Sequence, residues 1–168
     1  MPFPQSLHFG GFDCGEADYN DYLYDGTALR DESQGVARVY LAFFKTVLIG
    51  YFAILNDAIQ LETKERPTGI VYSSVPALKI GRLATSKDVQ GQGLSQYLVK
   101  IIVGLAIEQS KIIGCRFVTL DALLGREGFY EKLGFKRNKL VHKNFEKLRN
   151  KPMENTSMRL DILLTEIT

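Results

Sequence analysis

The chain has 168 residues, 45% of them hydrophobic and 24% charged, with a formal net charge of +2 at pH 7. That is a soluble globular composition, at a length that buries a sizeable core without disulfides or metals. No apolar run approaches the roughly 20 residues that span a bilayer, and Met1-Pro2-Phe3-Pro4-Gln5-Ser6 lacks the basic-then-apolar order of a signal peptide, so neither a membrane partner nor secretion is expected. The two cysteines, Cys14 and Cys115, stand far apart and make no metal-spacing pattern. Two free buried thiols, no metal and a cytoplasmic location are the corresponding expectations. The length fits one domain covering residues 1–168.

In chain order, the first segment reads as a helix from about Gly15 to Glu32, capped by Asp13, with Tyr19, Tyr22, Leu23 and Leu29 on its apolar side. Two β-like runs follow, residues 36–44 and 47–55, separated only by Lys45-Thr46, which makes a tight hairpin. Residues 56–75 are less regular, with a surface turn expected at Arg66-Pro67-Thr68-Gly69. A strand is expected over 77–85. Then come the glycines of Gln90-Gly91-Gln92-Gly93-Leu94-Ser95. Beyond them Leu94, Leu98, Ile101, Ile102, Leu105 and Ala106 recur at helical spacing up to about Ser110. A strand over 115–121 and a short helix over 126–133 follow, the helix stopped by Gly134. Residues 136–151 are read as partly helical up to Pro152, and 158–164 as a final strand. The order helix, hairpin, strand, helix, strand, helix, strand is that of an α/β protein with a mixed sheet.

Charge is uneven along the chain. Residues 1–35 hold seven acids against the single base Arg30, and residues 132–151 hold eight bases against the single acid Glu146. Such runs are ordinarily solvated faces. The sharper reading of the basic run is a patch for a polyanion, either RNA or the phosphates of a cofactor.

A glycine turn that opens a helix offers free backbone N–H groups and the positive end of the helix dipole, a combination that holds phosphate. The turn at 90–95 lacks the third glycine of a dinucleotide-binding fingerprint and the Gly-Lys-Ser/Thr of a P-loop. By itself it is a generic anion cradle or a turn needing glycine for its backbone alone.

A second constellation narrows this. Residues 128–135 read Gly-Phe-Tyr-Glu-Lys-Leu-Gly-Phe. Together with Gln90 and Gly93, the matching Phe129, Tyr130, Gly134 and Phe135 make the chain resemble the GNAT N-acetyltransferases, with Ser95 replacing the last small residue of their first motif. The resemblance implies the GNAT fold: a mixed, mostly antiparallel sheet split at an acetyl-CoA cleft and flanked by helices. It implies acetyl-CoA as cosubstrate. Gln90, Gly91, Gln92, Gly93, Leu94 and Ser95 would form the pyrophosphate turn, held through the backbone amides of residues 92–95. Leu83, Ala84 and Thr85 would run beside the pantetheine as an added strand does. Phe129 would wall the cofactor or the core. Tyr130 would protonate the departing CoA sulfur as general acid; its alternative is a packing tyrosine with its hydroxyl on a backbone partner. No general base is evident: His8 and His142 read as surface or satisfied histidines.

Phe12-Asp13-Cys14-Gly15, residues 75–84 and Val118-Thr119-Leu120-Asp121-Ala122 are similar to segments of the acetyltransferase toxins of bacterial toxin–antitoxin pairs, which acetylate the α-amine of aminoacyl-tRNA. That resemblance implies tRNA and an antitoxin protein as partners, and admits a homodimer. The acceptor stays open between aminoacyl-tRNA and another primary amine. A non-catalytic RNA- or partner-binding module on the same fold is the reading from another class.

Overall fold

A computed structural model describes residues 10–139 and 155–165. His8, His142 and residues 140–151 of the stretch 136–151 read as partly helical lie outside the described residues, and the described start of that stretch, Lys136–Arg137, is a strand. The helical and extended elements are α1 (Ala17–Tyr24), α2 (Thr27–Ser33), β1 (Arg38–Phe44), β2 (Val47–Gln60), β3 (Ser74–Thr85), α3 (Leu94–Ser110), β4 (Phe117–Leu123), α4 (Glu127–Lys132), β5 (Lys136–Arg137) and β6 (Asn155–Asp161). The strands form one sheet in the order β1-β2-β3-β4-β6-β5. Neighbours β1/β2, β4/β6 and β5/β6 are antiparallel. The start of β3 lies beside the start of β4, where Arg116 N–H donates to Pro76 O at 2.9 Å, so these two strands run the same way. The strand–helix–strand connection through α3 is the crossover that such a pair requires. The expected mixed, mostly antiparallel α/β sheet is the one observed.

Two compact units divide the chain: Met1–Leu55 with Ile80–Ile101, and Asn56–Lys79 with Ile102–Thr168. β2, β3 and α3 each start in one unit and end in the other.

The first unit is organised on Tyr51, which is fully buried among Phe12, Tyr22, Leu23, Ala28, Val39 and Leu48. Its ring stacks on Tyr22 at 6.0 Å and meets Phe12 edge-on at 5.9 Å. Its hydroxyl donates to Tyr19 O at 2.8 Å, and burial raises its pKa. This satisfies the polar atom of a fully buried ring. The apolar side expected for the first helix is the buried one, but the helix itself is broken. Gly26 takes a left-handed φ of 84°, and Asp25 Oδ1 accepts the Thr27 N–H at 2.8 Å, so the chain turns and restarts as α2. Asp13 does not cap α1 either. The N-cap position is Glu16, with no side-chain bond. Asp13 Oδ1 instead accepts from Gly15 N and Asn20 Nδ2, both at 2.8 Å, and Oδ2 accepts from Lys87 Nζ at 2.8 Å.

The hairpin forms as expected, with Lys45 at φ 54° in the turn. β2 runs five residues past the expected end at 55, because its polar positions find partners: Asp57 Oδ2 accepts from the Thr119 hydroxyl at 2.7 Å and Asn56 Oδ1 from Gln109 Nε2 at 3.0 Å. The turn expected at 66–69 closes through Ile70 N–H to Pro67 O at 3.1 Å. The second unit buries Ile59, Leu61, Val75, Ala77 and Phe117 as one cluster. β6 lies three residues earlier than the expected 158–164. Leu163 and Leu164 are exposed, and Thr156, Ser157 and Arg159 are buried instead.

Candidate acetyl-transfer site

The glycine turn stands where the sequence places it, between β3 and α3. Gly91 and Gly93 have φ of 81° and 83°, and a Cβ on either would meet nothing within 4 Å. Glycine is needed here for backbone conformation and not for space. The turn aims the chain into α3, whose first N–H groups have no intrahelical acceptor. The helix is 17 residues long and carries no acid in its first turn, so no carboxylate of that turn competes with an incoming anion for its positive end. The backbone of 92–95 fits a diphosphate on these grounds.

The first turn of α3 is seated by Gly50. A Cβ there would come within 3.1 Å of Ala84 O, 3.3 Å of Leu98 Cδ1 and 3.5 Å of Leu94 Cδ2. Thr85 and Ser95 face one another, hydroxyl to hydroxyl, at 3.2 Å. Leu83 is half-buried and Ala84 and Thr85 are buried. The structure therefore brings Thr85, Gln90 and Ser95 together.

Gln90 does something the sequence did not suggest. Its Nε2 donates to Thr85 O at 3.0 Å and to Cys14 O at 2.9 Å, fastening the end of β3 and the N-terminal segment to the glycine turn. Lys87 adds a second fastening: its N–H bonds Asp13 O at 2.9 Å and its ammonium bonds the Asp13 carboxylate. The hydrogen bond from Lys87, with those from Asn20 and Gly15, lowers the Asp13 pKa to about 2. Both side chains of this pair are about half exposed, so its contribution is to placement more than to stability. Gln92 Nε2 reaches back to Asp88 O at 3.5 Å. Of these braces Lys87 had no sequence signal, while Asp13 was read as a helix cap and Cys14 stood out only within the segment Phe12-Asp13-Cys14-Gly15.

Gly93→Ala tests the turn. Alanine in the left-handed region costs roughly 1–2 kcal/mol, which corresponds to a loss of acetyl-CoA affinity of about tenfold if the turn relaxes to escape it. Calorimetric titration measures this directly, and wild-type affinity in Gly93→Ala would show that the turn does not hold the donor.

In the second unit, Phe129 and Tyr130 lie on α4. Tyr130 is half-buried, with its ring edge-on to Phe129 at 5.0 Å and to Phe135 at 5.7 Å. Its carbonyl accepts from Leu133 N and Phe135 N, both at 3.0 Å, which ends the helix and turns the chain into β5. A Cβ on Gly134 would approach Leu160 Cδ1 to 3.1 Å, so glycine lets this corner close on β6. The other end of α4 is anchored by Glu127, which accepts from Gly125 N and from the Thr156 hydroxyl, each at 2.8 Å. The bond from its own backbone N–H, followed by that from Thr156, lowers the Glu127 pKa. The ring contacts place the Tyr130 side chain, and a phenol is a group that can carry a proton to a leaving group within its reach.

Burial raises the pKa of both cysteine thiols, which suits structural thiols better than nucleophiles. Among the described residues no helix is long and apolar enough to cross a membrane, and no group of three His, Cys, Asp or Glu residues could hold a metal.

The model of the acetyltransferase (GNAT) domain matches residues 15–157. The chain belongs to the GNAT acetyltransferases. It is an acetyl-CoA-dependent N-acetyltransferase, as the paired motifs imply. A "tRNA-acetylating toxin" of Mycobacterium tuberculosis is 26% identical over 113 residues, which is 67% of this chain and 68% of that protein. Among solved structures, a Tyr-to-Phe mutant of KacT is similar at TM-score 0.76 and 24% identity, over 94% of this chain and 89% of that one. AtaT complexed with acetyl-methionyl-tRNAfMet gives 0.75 and 23%, over 92% and 88%. A mutant AtaT bound to the C-terminus of the antitoxin AtaR and to acetyl-CoA gives 0.72 and 20%, over 94% and 88%. These structural likenesses establish the shared GNAT fold.

Proposed function

We propose that this GNAT enzyme acetylates the α-amine of an aminoacyl-tRNA and acts as the toxin of a toxin–antitoxin pair. The observation that carries this reading is the similarity to a tRNA-acetylating toxin over two thirds of both chains. The likeness of fold to AtaT, solved with an acetylated initiator tRNA, supports it.

Acetyl-CoA supplies an activated acyl group on sulfur. The protein's part is to place it and to manage protons. The N–H groups of Gln92, Gly93, Leu94 and Ser95 hold the pyrophosphate. Leu83, Ala84 and Thr85 hold the pantetheine along β3, and Phe129 walls it. Gln90 keeps the turn in register with the strand. The neutral amine adds to the thioester carbonyl, the C–S bond breaks, and Tyr130 gives its proton to the departing sulfur. The nitrogen loses a proton to water as the amide forms, and the phenolate of Tyr130 recovers its own from solvent.

The test offers the purified enzyme acetyl-CoA with aminoacyl-tRNAs, small primary amines and peptide N-termini, and follows thiol release and acetylated product by mass. Acetylated aminoacyl-tRNA is the expected main product. Efficient use of a small amine or peptide with no use of aminoacyl-tRNA would overturn the substrate. Absence of both thiol release and acetyl-CoA binding would instead favour a non-catalytic module. Expression without antitoxin is expected to arrest growth.

A further inference from the structure

The second unit contains a cavity of about 940 Å³ that the acetyl-transfer chemistry does not use. Its walls come from the turn around Thr63–Glu65, the start of β4, the α4–β5 corner, and the end of β6 with the turn after it. Six basic and two acidic side chains line it. Both acids are already neutralised. Asp161 takes Arg116 in a two-pronged pair, Nε to Oδ1 and Nη2 to Oδ2, each at 2.8 Å. Glu65 takes Arg159 at 3.1 Å, with both side chains under 10% exposed.

Four cations then remain uncompensated. Lys64, Lys132 and Lys136 have no carboxylate partner among the described residues. Arg66 is held rigid by carbonyls, Nε on Leu61 O at 3.2 Å and Nη1 on Val71 O at 3.1 Å, which fixes its direction without cancelling its charge. The groove has a neutral, bonded floor and positive walls. A protein partner is a poor fit, because the cores of protein interfaces are depleted of lysine. A chain of phosphates is a good one. Lys132 also sits two residues from Tyr130 on α4, about 3 Å along the helix axis. A backbone gripped here is held by the element that carries the candidate acid.

We infer that this groove binds the phosphate backbone of RNA, through Lys64, Arg66, Lys132 and Lys136, and so docks the acceptor RNA apart from its reacting amine. The inference deepens the aminoacyl-tRNA reading and rests on it for the identity of the RNA.

The test compares wild type with the double variant Lys64→Gln/Lys136→Gln and a control, Arg30→Gln/Lys45→Gln, whose residues do not line the groove. Each is measured for KM on aminoacyl-tRNA, for KM on an aminoacyl ester of adenosine that lacks the stem, and for binding of labelled uncharged tRNA against salt. The groove variant is expected to raise the tRNA KM about tenfold and to flatten the log–log salt slope by about 0.7–0.9 per lost contact. The adenosine ester and the control stay at wild-type values. If wild type acetylates aminoacyl-tRNA and the groove variant matches it in KM and slope, the groove is wrong and the function stands. If wild type does not acetylate aminoacyl-tRNA, the proposed function fails, and tRNA binding alone decides the groove: weaker binding by the groove variant supports it, equal binding overturns it. No tRNA binding by wild type, with or without binding of polyglutamate, also overturns it.

Discussion

Tyr130→Phe lowers the rate of acetyl transfer about 100-fold or more, with the fold kept and acetyl-CoA affinity left at the wild-type value. The ring is kept, so its edge-on contacts with Phe129 and Phe135 survive. The corner into β5 survives too, because it is made by the Tyr130 carbonyl and not by the hydroxyl. What goes is a single proton donor. An alkyl thiolate leaving without one carries full charge at the transition state, while the amine's attack is unaffected, so the loss falls on turnover and not on donor binding. Single-turnover thiol release and calorimetric titration with acetyl-CoA separate the two. Unchanged turnover in Tyr130→Phe would sink the acid role and leave the packing role. In that case Tyr130→Ala, which removes the ring, would be the variant that loses stability. In cells the same substitution is expected to abolish growth arrest if the arrest is catalytic.

The parts of the fold legible in the sequence were those fixed by local rules. α3 was legible to the residue because Leu94, Leu98, Ile102 and Ala106 keep helical period without interruption. The hairpin was legible because two apolar runs leave only Lys45-Thr46 between them. The parts misread were decided by partners far away in sequence. Asp13 looks like a helix cap, and its ammonium partner is 74 residues on. Gln90, expected within the cofactor turn, was not misread but read incompletely: its amide also bonds Cys14 O, 76 residues back, and Thr85 O. Asn56 and Asp57 look like a strand end, and Gln109 and Thr119 keep them in the strand. In β6 the apolar run Ile162-Leu163-Leu164 drew the expected strand too late; the true strand buries Thr156, Ser157 and Arg159 because a polar network is waiting for them. The break at Gly26 was visible as an Asp-Gly pair, but the apolar period of Tyr22, Leu23 and Leu29 ran across it. For the site, the glycine turn and the aromatic signature were each legible. The braces that hold the turn were not, since a hydrogen bond to a distant carbonyl leaves no pattern in the chain.

Arg159→Ala is expected to cost about 3–5 kcal/mol, the range for removing one partner of a buried ion pair. It should lower the melting temperature on the order of 10 °C. The guanidinium does three things at once. It pairs with Glu65 at 3.1 Å, donates to Asn138 Oδ1 at 2.8 Å and donates to Arg137 O at 3.2 Å. Glu65 in turn accepts from the N–H groups of Glu62 and Lys139, each at 3.2 Å. Asn138 donates to the Ser157 hydroxyl at 3.0 Å and its N–H to Ser157 O at 2.9 Å. One side chain therefore ties the 62–65 turn, the segment after β5 and β6 into a single network. Deleting it leaves a buried carboxylate without its cation and a buried amide oxygen without its donor, and the second penalty adds to the first. Glu65→Gln paired with Arg159→Met removes both charges while keeping volume, and should recover a large part of the loss. Thermal and urea unfolding of the two single variants and the pair closes the cycle. If Arg159→Ala unfolds like wild type, the network is not load-sharing and the groove above it has a floor that can move. If the pair recovers stability and the groove variant still loses RNA, positive walls and neutral floor are separable: the ion pair shapes the surface, and the unpaired lysines give it its ligand.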